Sequence, residues 1–79
     1  MATDEIYGKL NKIFRDVFDD DEIVLTAETT ADDIEDWDSL AQITLITVIE
    51  DEFGIRFAAS EISSLQNVGE MVEVIAKKQ

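Results

Sequence analysis

The sequence predicts an all-α fold, a small four-helix bundle of three main helices plus one short helix, with a long loop between helices 1 and 2. Three observations carry that prediction. Apolar residues recur at helical spacing in three separate segments. Only one very short stretch alternates like a strand. Between the first two periodic segments lies a run of acidic chain with no period of its own.

The first helix is expected from Thr3 to about residue 18. A threonine suits a helix start, and Asp4 and Glu5 suit the positive end of the helix dipole. Ile6, Leu10, Ile13, Phe14 and Val17 make one apolar stripe, flanked by Tyr7 and Phe18. From Asp19 to Asp38 the period is lost. Asp19, Asp20, Asp21, Glu22, Asp32, Asp33, Glu35 and Asp36 dominate this loop, and it contains no Lys or Arg. Ile23, Leu25, Ile34 and Trp37 are its apolar exceptions, expected to pin it onto the bundle. A loop this long in a small chain is functional or anchored.

The second helix is expected over about Ser39 to Phe53. Leu40, Ile43, Ile46, Ile49 and Phe53 are assigned to one face, with Leu45 and Val48 widening it. Gly54 suits the left-handed position just past a helix end, and Ile55 can make the apolar contact that accompanies it. Ile55-Arg56-Phe57 alternates like a strand but is too short and has no partner, so it reads as connection. A short helical turn follows around Ser60 to Leu65. The last helix opens at Asn67, a capping residue, with Glu70 placed to complete a capping box. Val68, Met71, Val72 and Ile75 form its stripe, and Lys77 and Lys78 sit at its negative end.

Composition narrows the function. The 79 residues are expected to form one domain, residues 1–79; a chain this small buries only about 60% of its unfolded surface. Hydrophobic residues make up 46% of the chain, enough for a core, and neither a linker nor a repeat is apparent. The net charge of −13 repels nucleic acid and anionic membranes and favours basic partners met through steered encounters. Cysteine and histidine are absent, which removes disulfides, thiolate zinc sites, cysteine nucleophiles and every serine–histidine pair. The acidic start, Met1-Ala2-Thr3-Asp4-Glu5, is no secretory signal, and no stretch is long and apolar enough to span a membrane. A cytoplasmic monomer is the expectation.

The informative segment runs Trp37-Asp38-Ser39-Leu40-Ala41-Gln42-Ile43-Thr44-Leu45-Ile46 and closes with Glu50-Asp51-Glu52-Phe53-Gly54-Ile55. Asp and Ser start helices well in any protein. The whole arrangement, an Asp-Ser-Leu triplet opening an apolar helix that ends in an acidic turn and a glycine stop, resembles the acyl carrier proteins. That resemblance implies a 4′-phosphopantetheine arm, taken from coenzyme A, on Ser39 through a phosphodiester. A helix N-terminus is compatible with such a phosphate. With no histidine in the chain and no lysine near it in sequence, Ser39 has no internal activator, so the family's Mg²⁺-dependent phosphopantetheinyl transferase is the implied modifier.

Further roles follow from the resemblance alone, each beside a plainer alternative. Asp38 assists the metal of the transferase complex, or is simply the helix cap. Leu40 contacts partners, or belongs to the core. Ile46, Ile49, Ile62, Leu65, Val68, Met71 and Val72 line an acyl cleft, or are ordinary core. Glu50 and Asp51 meet basic patches on synthases, reductases and other acyl-transfer enzymes, or belong to a solvated face. Ala41 and Thr44 stand where carriers of fatty acid synthesis typically show acids, Thr47 where an apolar contact is common, and Ser63 where the short helix has an acid. With Trp37 before the motif, these departures look more like stand-alone carriers for a polyketide, specialised lipid or surface-sugar pathway.

Competing readings are an aminoacyl or peptidyl carrier, an acidic helical interaction module with no prosthetic group, and a calcium sensor. The calcium loop fails on spacing: counted from Asp19, Val24 occupies the glycine position and Thr30 the final glutamate position. Nothing resembles a catalytic constellation or a metal site, so the chain is expected to serve enzymes rather than be one.

Overall fold

A computed structural model describes residues 2–79, and among them the chain is helical with no strand. The order is α1 (Thr3–Phe18), a 3-10 turn at Ala31–Asp33, α2 (Ser39–Phe53), α3 (Ala59–Ser64) and α4 (Val68–Lys78). Helix α1 packs on α2 and on α4. Met1 of the acidic start lies outside the described residues.

The core follows from the apolar stripes. Ile6, Leu10, Ile13 and Phe14 of α1 meet Leu45, Ile49 and Phe53 of α2 and Val68, Met71, Val72 and Ile75 of α4. Full burial of each such side chain contributes about 1.5–3 kcal/mol before chain entropy is charged against it. Thr3 begins α1, yet the cap position is Ala2 and no side chain caps it. At α4 the Asn67 side chain does accept from the Glu70 N–H at 2.9 Å. Among the described residues, Glu70 makes no return bond to the Asn67 N–H, so only half of the expected capping box forms.

One stripe departs from expectation. Leu40 and Ile43, assigned to the inner face of α2, are 73% and 65% exposed. The reason is helical pitch. At about 100° per residue, positions nine apart lie on opposite sides, and Leu40 is nine residues before Ile49. An i, i+3 series walks off its face, whereas Leu45, Ile49 and Phe53 hold theirs.

The acidic loop is anchored at several points and is not wholly structureless. Ile23 and Leu25 are buried, while Ile34 and Trp37 pack against the core from its edge. Two polar side chains of α1 hold its start: Asn11 Oδ1 accepts from the Leu25 N–H at 2.8 Å, and Arg15 Nε donates to the Ile23 carbonyl at 2.8 Å. Further along, the Thr29 and Ala27 carbonyls accept from the Val68 and Gly69 N–H groups at 2.9 and 3.0 Å. These bonds satisfy first-turn donors of α4. A Cβ on Gly69 would stand 3.0 Å from the Ala27 oxygen, so the glycine permits the approach.

Gly54 ends α2 at φ 65°, and the Ile55 N–H returns to the Glu50 carbonyl at 3.1 Å with Ile55 buried behind it. Residues 55–57 then pass into α3, a helix with no fully buried residue. It is held instead by polar ties. Glu61 accepts from the Ala58 N–H at 2.7 Å and pairs with Lys78 at 3.0 Å. Those two contacts, the backbone bond foremost, hold the Glu61 carboxyl below the usual carboxylate range.

Candidate functional site

Ser39 is the first residue of α2, and its position is fixed from both sides. Behind it, the Asp38 carboxylate accepts from the Ala41 N–H at 2.8 Å, while the Asp38 carbonyl takes the Gln42 N–H at 2.9 Å. Ahead of it in the loop, Trp37 donates its indole N–H to Gln42 Oε1 at 2.6 Å. The indole also stands edge-on to Phe14, with centroids 5.1 Å apart and planes at 81°, and lies 6.4 Å from Phe18. Edge-to-face pairs of this kind contribute about 0.5–1.5 kcal/mol beyond burial. The end of a long loop is thereby bolted to α1, which gives α2 a rigid start.

Ser39, Asp38 and Leu40 are all exposed. With the Ala41 and Gln42 donors taken, the Ser39 and Leu40 N–H groups have no partner among the described residues. Two open donors at the positive end of a helix favour a phosphate oxygen. No histidine or lysine adjoins Ser39 in sequence, and the neighbouring Asp38 carboxylate is engaged in capping the Ala41 N–H. The hydroxyl is reachable and electrostatically compatible with a phosphodiester, but it depends on an outside base.

Beside the serine lies a groove of about 580 Å³ between the loop, the start of α2, α3 and the start of α4. Its apolar walls are Trp37, Ile43, Ile62, Leu65 and Met71, and its polar rim comprises Asp38, Ser39, Gln42, Ser63, Gln66 and Asn67, with Ala31 completing it. Volumes of 300–1,000 Å³ are those of ligand clefts. Of the cleft residues expected from sequence, Ile62, Leu65 and Met71 stand on the wall. Ile49, Val68 and Val72 lie in the main core, and Ile46 is buried away from both. Ile49, Val68 and Val72 occupy the sides of α2 and α4 turned towards α1, which periodicity alone cannot distinguish from the groove side. Ile43 was missed as a wall residue, although it sits one helical turn below Ser39, at i+4, on the same face.

The acidic turn divides. Asp51 is exposed, but the Glu50 carboxylate is only 16% exposed: it accepts from the Phe57 N–H at 2.8 Å and lies 3.6 Å from Arg56. Glu50 thus braces the α2–α3 connection. The chain doubles back there and leaves a backbone donor to satisfy. Glu52 lies 3.8 Å from Lys9, an exposed pair of little energetic consequence.

Comparison with known proteins gives a consistent result. The family described as phosphopantetheine attachment site matches residues 8–75. An acyl carrier protein of Lactobacillus acidophilus is 30% identical over 79 residues, covering 100% of this chain and 99% of that protein. One from Thermotoga maritima is 31% identical over 77 residues, 98% of this chain and 95% of that protein. The solution structure of a holo acyl carrier protein from Geobacter metallireducens superposes with a TM-score of 0.87 at 49% identity, covering 91% of this chain and 83% of that one.

Proposed function

The chain belongs to the phosphopantetheine attachment-site family and is an acyl carrier protein, a non-catalytic carrier; on that premise we propose that Ser39 is the residue that takes the arm. The observation that supports this assignment is an exposed hydroxyl beside two uncommitted N–H donors at the start of α2. In the arming step the Ser39 oxygen bonds to the phosphorus of the phosphopantetheinyl group, the nucleotide bisphosphate half of coenzyme A departs, and the serine proton passes to a base of the transferase. When attached, 4′-phosphopantetheine supplies a terminal thiol that holds an acyl group as a thioester.

The chain's own residues do the positioning. Trp37 and the Asp38 cap hold the first turn of α2 in place, and the Ser39 and Leu40 N–H groups would be the donors available to the phosphate. The groove walled by Ile43, Ile62, Leu65 and Met71 shelters apolar cargo beside the attachment point. The net charge of −13 draws transferase, synthase and reductase partners that carry basic patches, through steered encounter rather than through Glu50. The cargo is acyl, for fatty acid, polyketide or specialised lipid synthesis, and Asp38 directly before Ser39 favours that reading over an aminoacyl or peptidyl cargo.

The test is direct. Purified apo protein is incubated with coenzyme A, Mg²⁺ and a broad-specificity phosphopantetheinyl transferase, and its intact mass is measured. Wild type gains one arm and Ser39→Ala gains none. An arm on Ser39→Ala would move the attachment elsewhere, and an unmodified wild type would leave an interaction module without a prosthetic group.

A further inference from the structure

On the reading that Ser39 is armed, we propose that Gln42 and Asn67 select the cargo of the groove: an uncharged acyl chain that carries an acceptor oxygen, as an oxoacyl group does, in preference to a fully saturated one. Both side chains line the groove, Gln42 from α2 and Asn67 from the start of α4, and both are half-buried. Each is held by its oxygen. Gln42 Oε1 accepts from the Trp37 indole N–H at 2.6 Å, and Asn67 Oδ1 accepts from the Glu70 N–H at 2.9 Å. Indole and backbone N–H groups can only donate, so the amide oxygen is the end engaged in each case. The opposite ends, Gln42 Nε2 and Asn67 Nδ2, have no partner among the described residues. The groove is thereby furnished with two oriented N–H donor groups.

Few other groups compete for that role. Ser63 Oγ donates to the Ser60 carbonyl at 3.1 Å, and the Ser39 hydroxyl is consumed in the phosphodiester. Among the described residues, Asp38 is the one charged member of the groove, and its carboxylate caps Ala41. With no Lys or Arg among those residues, a cargo carboxylate would lie unpaired near Asp38, which is costly. A carbonyl oxygen carries no such cost and accepts from either amide, while Ile43, Ile62, Leu65 and Met71 cover the hydrocarbon. A saturated chain covers the same walls but strips water from the two amides and returns no bond. By that asymmetry a polar site rejects an analogue lacking its partner.

Two substitutions remove a donor and keep the bond that holds the side chain: the carboxylate of Gln42→Glu still accepts from Trp37, and that of Asn67→Asp still caps α4. Each full chain is loaded by the broad-specificity transferase with Mg²⁺ and either β-oxooctanoyl- or octanoyl-coenzyme A. Intact mass confirms the load and melting curves the fold. Cleavage of the thioester by hydroxylamine is timed against the same acyl group on free pantetheine. Each substitution should lower the protection of β-oxooctanoyl about fivefold, the equivalent of one net hydrogen bond, and leave that of octanoyl within about twofold. In wild type, nitrogen–proton correlation spectra should show the Gln42 and Asn67 side-chain amide protons moving downfield with β-oxooctanoyl but not with octanoyl. Equal losses for both cargos, no protection of β-oxooctanoyl in wild type, or unmoved amide protons each overturn the proposal. So does the same downfield shift in holo protein without cargo, which would assign the acceptor to a carbonyl of the arm itself. If wild type gains no mass, the Ser39 reading fails and the proposal with it; loaded protein whose variants do not distinguish the cargos defeats the proposal alone.

Discussion

Asp38 offers two separable contributions, a hydrogen-bond cap and a negative charge, and two substitutions resolve them. The cap is a 2.8 Å bond from the Ala41 N–H to Asp38 Oδ1 at an exposed position. Asp38→Ala deletes it and leaves a first-turn donor to water, a loss of about 1 kcal/mol. For a domain this small that corresponds to a fall in Tm of about 4–8 °C. Asp38→Asn retains an amide oxygen in the same place, and asparagine caps as well as aspartate does. It forfeits only the favourable charge at the helix N-terminus, about 0.3–1 kcal/mol, reduced by salt. Thermal and urea unfolding should therefore rank wild type and Asn close together, with Ala well below. Arming ranks the variants differently. If the carboxylate assists the metal of the transferase complex, Asn and Ala both lose at least about tenfold in kcat/KM, the cost of removing one contact to a charged group. Equal stability of the Ala and Asn variants would refute the cap argument, and arming of Asp38→Asn at the wild-type rate would refute the charge argument.

Other perturbations have definite signs. Gly8 is an exposed residue inside α1 where an added Cβ meets nothing within 4 Å, so Gly8→Ala stabilises by about 0.5–1 kcal/mol in denaturant unfolding. Gly54→Ala does the reverse, losing about 1–2 kcal/mol, because its φ of 65° burdens any Cβ. The Glu61 carboxyl is lowered from 4.5 by the Ala58 N–H and then by Lys78, so its stabilisation of α3 is complete above that value and is lost as pH falls through the lowered folded value. Protection factors of the α3 amides, corrected for the intrinsic pH dependence of exchange, should fall over that acid range, and Glu61→Gln should flatten the dependence. With a net charge of −13, self-repulsion is screened by salt, and Tm should rise from low to moderate NaCl; a flat or falling Tm would contradict this.

Legibility in the sequence tracked how local each feature is. The stripes of α1 and α4, the glycine stop at Gly54 and the serine at the head of α2 depend on neighbours a few residues away, and their boundaries were readable. Leu40 and Ile43 were misassigned because an i, i+3 series imitates a buried stripe while rotating off it. Nothing in the sequence marks Asn11 and Arg15, polar residues of an amphipathic helix, as anchors for backbone at Leu25 and Ile23. Glu50 sat in an acidic run that reads as solvated, and its bond to Phe57 exists only once the chain turns. The groove was half legible for the same reason: hydrophobic identity selects Ile62, Leu65 and Met71 together with Ile46, Ile49, Val68 and Val72, and only the packing of the helices divides them.

The placement of Trp37 has a practical corollary. It is the sole tryptophan of the chain, wedged between two phenylalanines on one side and forming a wall of the groove on the other. Tryptophan emission, excited selectively over that of Tyr7, therefore originates at the threshold between the bundle and the groove. On the proposed function, filling or vacating that groove would change the polarity around the indole, and a shift in its emission would report loading without a dye.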